Sequence, residues 1–313
     1  MAAETEMMVT EELEAGGWLR AIGLTFLFFI SLIVFTAVKV PQSKIHGWIV
    51  GTLNQQMAPL GMQVTTDEGH LSLGLGLKYE MTGVRITKML NQKTIKFTRL
   101  EVAPSILPLL SGKLGGTFRL EESAGVVSGK VLTHGEEFDA TLNIENVNLG
   151  RMGILPFLAD VEGTADVKGT VEINGVGPQT SSYAGKIELN LAKIVVDNQK
   201  LGGFEIPRTS IADGVVNIAI GGGKATVNSF RLGKAGGTDD LNATLSGDVK
   251  LMKMLDASDA NLKLKVGFSD RYKQEKTISV LDSLLGMFKL ADGTFAMKFM
   301  GPLYAAQPSP DHP

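Results

Sequence analysis

Residues 241–251 read LNATLSGDVKL, and this stretch decides the fold class because polar and apolar residues alternate along its whole length. Every even-numbered position is polar. The odd-numbered positions are apolar or glycine: Leu241, Ala243, Leu245, Gly247, Val249 and Leu251. A period of two is typical of an antiparallel strand that has one apolar face and one face in water.

The same alternation recurs in residues 185–191, 261–268 and 294–299. We therefore predict a long-stranded antiparallel sheet of roughly 15 strands, with one apolar stripe that is either a closed core or an open groove. The predicted stripe residues are Leu241, Leu245, Val249, Leu262, Leu264, Val266, Phe295 and Phe299.

Glycine punctuates the predicted strands. Segments that begin at Gly163, Gly185, Gly214, Gly247 and Gly293 each look like a hairpin turn that opens a new strand. Helical spacing or apolar content predicts three short helices, at residues 104–111, 149–158 and 275–289.

The sequence GGGK at residues 221–224 fails as a phosphate loop, because Ile218 stands where the first glycine belongs and Ala225 follows the lysine. Strand-like sequence lies on both sides of these glycines. We therefore predict a hairpin turn at this position.

Residues 21–38, AIGLTFLFFISLIVFTAV, contain no charged side chain. As a helix this segment spans about 27 Å, close to the ~30 Å hydrocarbon core of a bilayer, and Trp18 and Lys39 lie where interfacial anchors belong. We predict an uncleaved transmembrane anchor over 18–40, because the apolar run exceeds that of a signal peptide.

Residues 1–17 form an acidic tail, with five glutamates and no lysine or arginine, and we predict that it stays in the cytoplasm when the chain after the span is translocated. The charges beside the span do not decide its orientation. We predict that the following chain is translocated, because a single early anchor with a short tail commonly has that effect. The remaining chain divides into a linker helix at 41–61, a β-rich domain at 62–303 and a flexible tail at 304–313.

Composition and spacing favour no chemistry that we could assign. The chain has no cysteine, and outside the acidic tail 28 acidic residues face 30 basic ones, so there is no basic field for nucleic acid. The four histidines, His46, His70, His134 and His312, show no metal-ligand spacing. We predict no catalytic, cofactor or metal site, although an enzyme with a dispersed site remains an alternative.

Several segments resemble a known family. Residues 71–86 (LSLGLGLKYEMTGVRI), 95–102 (IKFTRLEV) and 104–114 (PSILPLLSGKL) resemble the opening module of AsmA-like envelope proteins, and 292–302 (DGTFAMKFMGP) resembles the closing segment of the same group. The overall layout is most similar to the type II secretion system protein N family, over residues 20–305.

This resemblance implies a single-pass protein of the bacterial inner membrane, with its β-rich domain in the periplasm. It would be a non-enzymatic accessory component of a type II protein secretion system, with other secretion or envelope proteins and the bilayer as partners. The AsmA-like resemblance implies an alternative, a lipid-binding or lipid-transfer protein whose curled sheet, a half-barrel or a sandwich with a few short helices, shelters phospholipid acyl chains. Its modest length favours a core or a shallow groove over an open lipid conduit.

Overall fold

The computed structural model describes residues 41–73, 77–105, 108, 111–177, 179–201, 204–234, 236–252 and 257–311. The tail predicted at 1–17 and the anchor predicted at 18–40 lie outside these ranges. Within them, no helix has the length and apolar character needed to cross a membrane.

The described chain is mainly β, as the alternating segments predict. Fifteen strands form one antiparallel sheet, and two more form a separate hairpin. The strands are β1 Met62–Thr65, β2 Glu68–Leu73, β3 Leu77–Lys88, β4 Thr94–Pro104, β5 Leu114–Glu122, β6 Gly125–His134, β7 Glu137–Asn148, β8 Gly163–Val176, β9 Gln179–Val196, β10 Gln199–Leu201, β11 Phe204–Ile206, β12 Thr209–Gly221, β13 Lys224–Leu232, β14 Leu241–Lys250, β15 Asp259–Phe268, β16 Phe295–Pro302 and β17 Gln307–Pro310.

The sheet is a meander in which chain neighbours pair. Its order is β1-β3-β4-β5-β6-β7-β8-β9-β12-β13-β14-β15-β16-β17, and β2 follows β1 along the same edge of β3. The hairpin β10–β11 leaves the path between β9 and β12. The four strands predicted from alternation are therefore present as β9, β14, β15 and β16.

Four α-helices accompany the sheet in the described ranges: α1 Gln42–Met57, α2 Ile154–Ala159, α3 Asp270–Lys273 and α4 Lys276–Leu284. Short 3₁₀ turns follow α1 at Ala58–Leu60 and α4 at Gly286–Phe288. Helix formation was predicted near α1, α2 and α4. The segment predicted as a helix at 104–111 begins with the last residue of β4, and half of its residues lie outside the described ranges.

The hairpin predicted at 221–224 is correct. Gly222 and Gly223 have φ angles of +57° and +76° and connect β12 to β13. Two consecutive residues with positive φ form the tight turn whose twist matches the flanking strands, and glycine adopts these angles without steric cost.

Three of the other predicted glycine turns are wrong, because Gly185, Gly214 and Gly247 lie inside strands. A Cβ atom at Gly185 would lie 2.0 Å from the Glu172 carbonyl oxygen of the neighbouring strand. These glycines therefore permit close backbone approach within the sheet, a role that the sequence does not distinguish from a turn.

A strand forms in the segment where the sequence predicts a flexible tail. Residues Gln307–Pro310 pair with β16, and Ser309 pairs with Lys298. Pro308 and Pro310 have no N–H group, which limits proline to edge strands. This strand is the edge of the described sheet at its C-terminal side.

Helix α1 covers the first strands of the sheet. Met81, Val84 and Val147 are almost fully buried in a cluster against which Ile49 and Leu53 of α1 pack. A second buried region surrounds Phe295 at the other end of the sheet, beside α3 and α4. Complete burial is therefore concentrated at the places where helices cover the sheet.

Candidate functional site

The strand register brings the predicted stripe residues onto one face of the sheet. The direct pairs among them are Leu245 with Leu264, Leu262 with Phe299, and Val266 with Phe295. Directly paired residues of an antiparallel ladder project to the same side. Leu241 and Val249 share that side with Leu245, because side chains alternate along β14.

Directly paired residues of successive strands form ladders across this apolar face. We call four of these ladders the first to fourth rows, counted from the side of the sheet on which the helices lie. The third row contains only apolar residues and glycine in 14 consecutive strands. In strand order it is Leu71, Tyr79, Val102, Phe118, Gly129, Leu142, Val171, Ile187, Ile218, Val227, Gly247, Leu262, Phe299 and Pro308.

The rows on either side of it have the same composition. The second row is Gly69, Met81, Leu100, Leu120, Val127, Ile144, Gly169, Leu189, Val216, Phe230, Leu245, Leu264, Met297 and Pro310. The fourth row is Pro104, Gly116, Val131, Ala140, Ile173, Gly185, Ile220, Ala225, Val249, Ala260 and Gly301.

The first row lies on the helix side. It consists of Val147, Val167, Leu191, Gly214, Leu232, Ala243, Val266 and Phe295. Most of these residues are buried, and Phe295 is 0% exposed, with its ring centroid 5.7 Å from that of Phe268. The first row therefore belongs to the packed core.

The other three rows are partly exposed. Only Tyr79, Met81, Gly129 and Ala260 are buried among them, and no residue of the 18 in β9 is buried. Of the eight predicted stripe residues, Phe295 alone is buried. The first row is a closed core. The second to fourth rows form a partly exposed apolar strip, and the second row in β3 to β7 also packs against the buried cluster under α1.

The opposite face of the sheet carries charge. Lys186 and Glu188 flank Ile187 in sequence, and their charged groups lie 3.4 Å apart. Lys224 on β13 and Asp248 on β14 form a similar pair at 3.2 Å. The apolar strip is thus one side of a two-sided sheet, as the alternation predicts.

The strip is large enough for lipid chains. With adjacent strands about 4.8 Å apart, the third row extends roughly 60 Å across its 14 strands, and the second to fourth rows cover about 13 Å along them. One acyl chain crosses about half of a ~30 Å hydrocarbon core, or roughly 15 Å. The surface therefore has room for several chains.

Helix α1 closes the strip at its N-terminal end. His46 lies 2.7 Å from the Tyr79 hydroxyl and 2.9 Å from the Thr66 hydroxyl, and Asn54 exchanges two hydrogen bonds with the backbone of Val64. These contacts fix α1 against β1 to β3. His46 is therefore part of the packing between α1 and the sheet.

Two buried aspartates hold the loop before β14. Asp240 is 2% exposed and accepts hydrogen bonds from the Ser210 N–H and from Arg271. Asp239 accepts from the N–H groups of Ala212 and Lys234. The local sequence does not reveal these distant backbone donors.

The structure offers no metal centre among the residues that it describes, since no group of three potential ligands lies together. A cavity of about 860 Å³ lies between the β10–β11 hairpin and α4. Lys200, Arg208, Asp240, Arg271 and Glu275 are among the residues that line it. This charged lining is unsuited to an acyl chain, so the apolar strip is the candidate functional site.

Comparison with models of protein families, with curated proteins and with solved structures finds no match for this chain. The assignment of function therefore rests on the sequence and on the geometry of the sheet.

Proposed function

We propose that this chain is a membrane-anchored lipid-binding protein of the bacterial cell envelope. In this proposal the second to fourth rows shelter phospholipid acyl chains, and the polar face of the sheet remains in water. The observation that carries it is the third row, which is apolar or glycine in 14 successive strands and almost entirely unburied. Large exposed apolar surfaces mark binding sites for lipids or partners.

A curled, half-open sheet of the AsmA-like type fits this role. Glycines interrupt the apolar rows, and a Cβ atom at Gly169 or Gly247 would lie 2.0 or 2.1 Å from a carbonyl oxygen of the neighbouring strand. Interior glycines of this kind accompany bends in strands, and bends let a wide sheet curve around a ligand. In this proposal a curved sheet would shelter acyl chains without a second sheet.

The shape of the strip favours lipid over a compact ligand. It is long, continuous and without charged side chains, whereas sites for polar ligands combine an apolar wall with a few placed polar groups. A hydrocarbon chain requires no hydrogen-bond partner, so a strip without polar groups can bind it by apolar contact alone.

The test compares two substitutions in β9 that lie on opposite faces. Ile187→Glu puts a charge in the third row, and Asn190→Glu puts the same charge on the exposed polar face. Full-length protein is extracted in detergent, and bound phospholipid is counted by native mass spectrometry. We expect co-purified phospholipid with the wild-type chain and with Asn190→Glu, and a loss with Ile187→Glu.

A wild-type chain that carries no phospholipid refutes the proposal. Equal phospholipid content in all three proteins refutes the assignment of the strip as the site. Circular dichroism of the two variants checks that the sheet is retained, because a charge on an apolar face also disfavours folding.

The accessory role in a type II secretion system is a second proposal, supported by the sequence resemblance in β2 to β4 and in β16. It predicts that the tagged full-length chain recovers secretion components from envelope extracts and that its deletion reduces protein export. Recovery of none of these components, together with normal export, would exclude this role and leave lipid binding unaffected. Reporter fusions after residue 60 test the proposed periplasmic location.

A further inference from the structure

Large apolar side chains are exposed at the end of the sheet beside α1. Leu90 is 90% exposed, Leu158 is 71% exposed, and Leu60 is 64% exposed. Trp48, on α1, is 72% exposed. Single exposed apolar residues are common, but a group of them at one end of a protein marks a contact surface.

Hydrogen bonds show that three of these segments are neighbours. The Met89 N–H donates to the Gly61 carbonyl at 2.8 Å, which joins the β3–β4 turn to the 3₁₀ turn that contains Leu60. Lys93 Nζ lies 2.8 Å from Asp160 Oδ1, which joins the same turn to the end of α2. We call Leu60, Met89, Leu90 and Leu158 the apolar tip.

Helix α1 connects the apolar tip to the part of the chain predicted to span the membrane. Its first residue, Gln42, comes four positions after Val38, the end of the apolar segment, so the start of α1 lies within about 14 Å of that end. Its 16 residues extend about 24 Å, and the apolar tip is at its far end. Pro41 has φ −59° and ψ +117°, which is not helical, so α1 starts at Gln42.

The outer side of α1 suits a bilayer surface. Ile45, Ile49 and Leu53 pack against the sheet, whereas Lys44 and Trp48, one turn apart, are exposed on the other side. The helix contains no aspartate or glutamate. Tryptophan is favoured at membrane interfaces, and a surface without acidic groups avoids repulsion from anionic lipids.

We propose that the exposed side of α1 and the apolar tip lie on the bilayer that holds residues 21–38, an inference that rests on the proposed membrane anchor. The tether favours the bilayer over a protein partner as the binding surface for α1 and the apolar tip, because the short connection keeps them at high effective concentration next to the bilayer. The sheet then lies beside the membrane along the length of α1, with Trp48 and Leu90 in the interfacial layer.

The absence of cysteine from the chain allows a direct test in the full-length protein. Single-cysteine variants Leu90→Cys and Asn190→Cys carry an environment-sensitive fluorophore at the apolar tip and at the exposed polar face. Each is reconstituted into vesicles of phosphatidylethanolamine and phosphatidylglycerol, with or without nitroxide-labelled lipid. We expect a blue-shifted label at residue 90 that lipid nitroxide quenches at least about twofold more strongly than the label at residue 190.

An independent readout uses native side chains. In a Trp18→Phe variant, Trp48 is the sole tryptophan, and we expect brominated lipid to quench its emission. Vesicle flotation tests the membrane anchor separately from the contact of α1 and the apolar tip with the bilayer. If the chain floats but neither probe is quenched, the inference fails and the anchor stands. If the chain does not float with the vesicles, both the membrane anchor and the inference fail. A label at residue 90 that is shielded only when envelope proteins are added also overturns the inference.

Discussion

Phe295 and Phe299 provide a matched test of where the packed core ends and the open strip begins. Both side chains lie on the same face of β16, four residues apart. Phe295 is fully buried, with the Phe268 ring at 5.7 Å and the Lys289 ammonium group 5.7 Å from its ring centroid. Phe299, in the third row, is partly exposed.

The two alanine substitutions should therefore differ in their cost to stability. Phe295→Ala leaves an enclosed cavity, and we expect it to lower the free energy of unfolding by about 3–5 kcal/mol. Phe299→Ala removes a side chain that water already reaches, so we expect a loss of about 1–2 kcal/mol from reduced apolar burial. Against a typical total of about 5–15 kcal/mol, both variants should still fold.

The assay is urea unfolding of the chain from Pro41 onward, after removal of bound lipid, because a ligand that binds only the folded state adds its own stabilisation. The m-value checks that unfolding exposes the same surface in each variant. The effect on bound lipid should be the reverse of the effect on stability. We expect Phe299→Ala to lose bound lipid and Phe295→Ala to retain it. Equal destabilisation by the two substitutions would show that Phe299 belongs to a closed core and would refute the open strip.

Three further substitutions and one titration follow from the geometry. Gly185→Val should cost several kcal/mol in thermal unfolding, because its Cβ would overlap a carbonyl oxygen, whereas Gly51→Ala, in an open helical position, should stabilise by about 0.5–1 kcal/mol. Burial raises the pKa of Tyr79 and Tyr272, so their contribution to stability is intact below the unfolded value of about 10 and is lost as pH rises through the folded values. Absorbance at alkaline pH, compared with that of Tyr79→Phe and Tyr272→Phe variants, should show that these two tyrosines ionise above the usual value of about 10, and ionisation of both at about 10 would contradict this. Asp240→Ala should cost about 1–3 kcal/mol by urea unfolding, because it leaves a backbone N–H without an acceptor; a loss below about 0.5 kcal/mol would contradict that role.

The fold class was predictable because period-two alternation is a local property. In β14 and β15 the polar or apolar character of each residue indicates the face of the sheet on which it lies, and the strand pairing confirms these faces. The glycines were less informative, because Gly222 at a turn and Gly185 inside a strand look alike in sequence. What separates them is the neighbouring strand, whose backbone leaves no room for a side chain at Gly185.

The candidate site was predictable only in part. Alternation identifies Leu245, Leu262 and Phe299 as residues of one apolar face, but it does not show whether that face is covered. The cover depends on where α1, α3 and α4 pack, and no local pattern specifies those long-range contacts. Residues of the same pattern therefore have different environments: Phe295 is buried under the helical side of the sheet, and Phe299 is not.

An apolar strip of this length also limits how the protein can exist in water. A partly exposed surface of some 60 Å would promote association between molecules unless something covers it. At the C-terminal edge of the sheet, Pro308 and Pro310 disfavour further strand pairing, and at the other end α1 covers the first strands. Both devices protect the ends of the sheet and leave its apolar face open. Selective protection of this kind is what a lipid-binding surface requires, because edge pairing would aggregate the protein whereas bound acyl chains would cover the remaining strip.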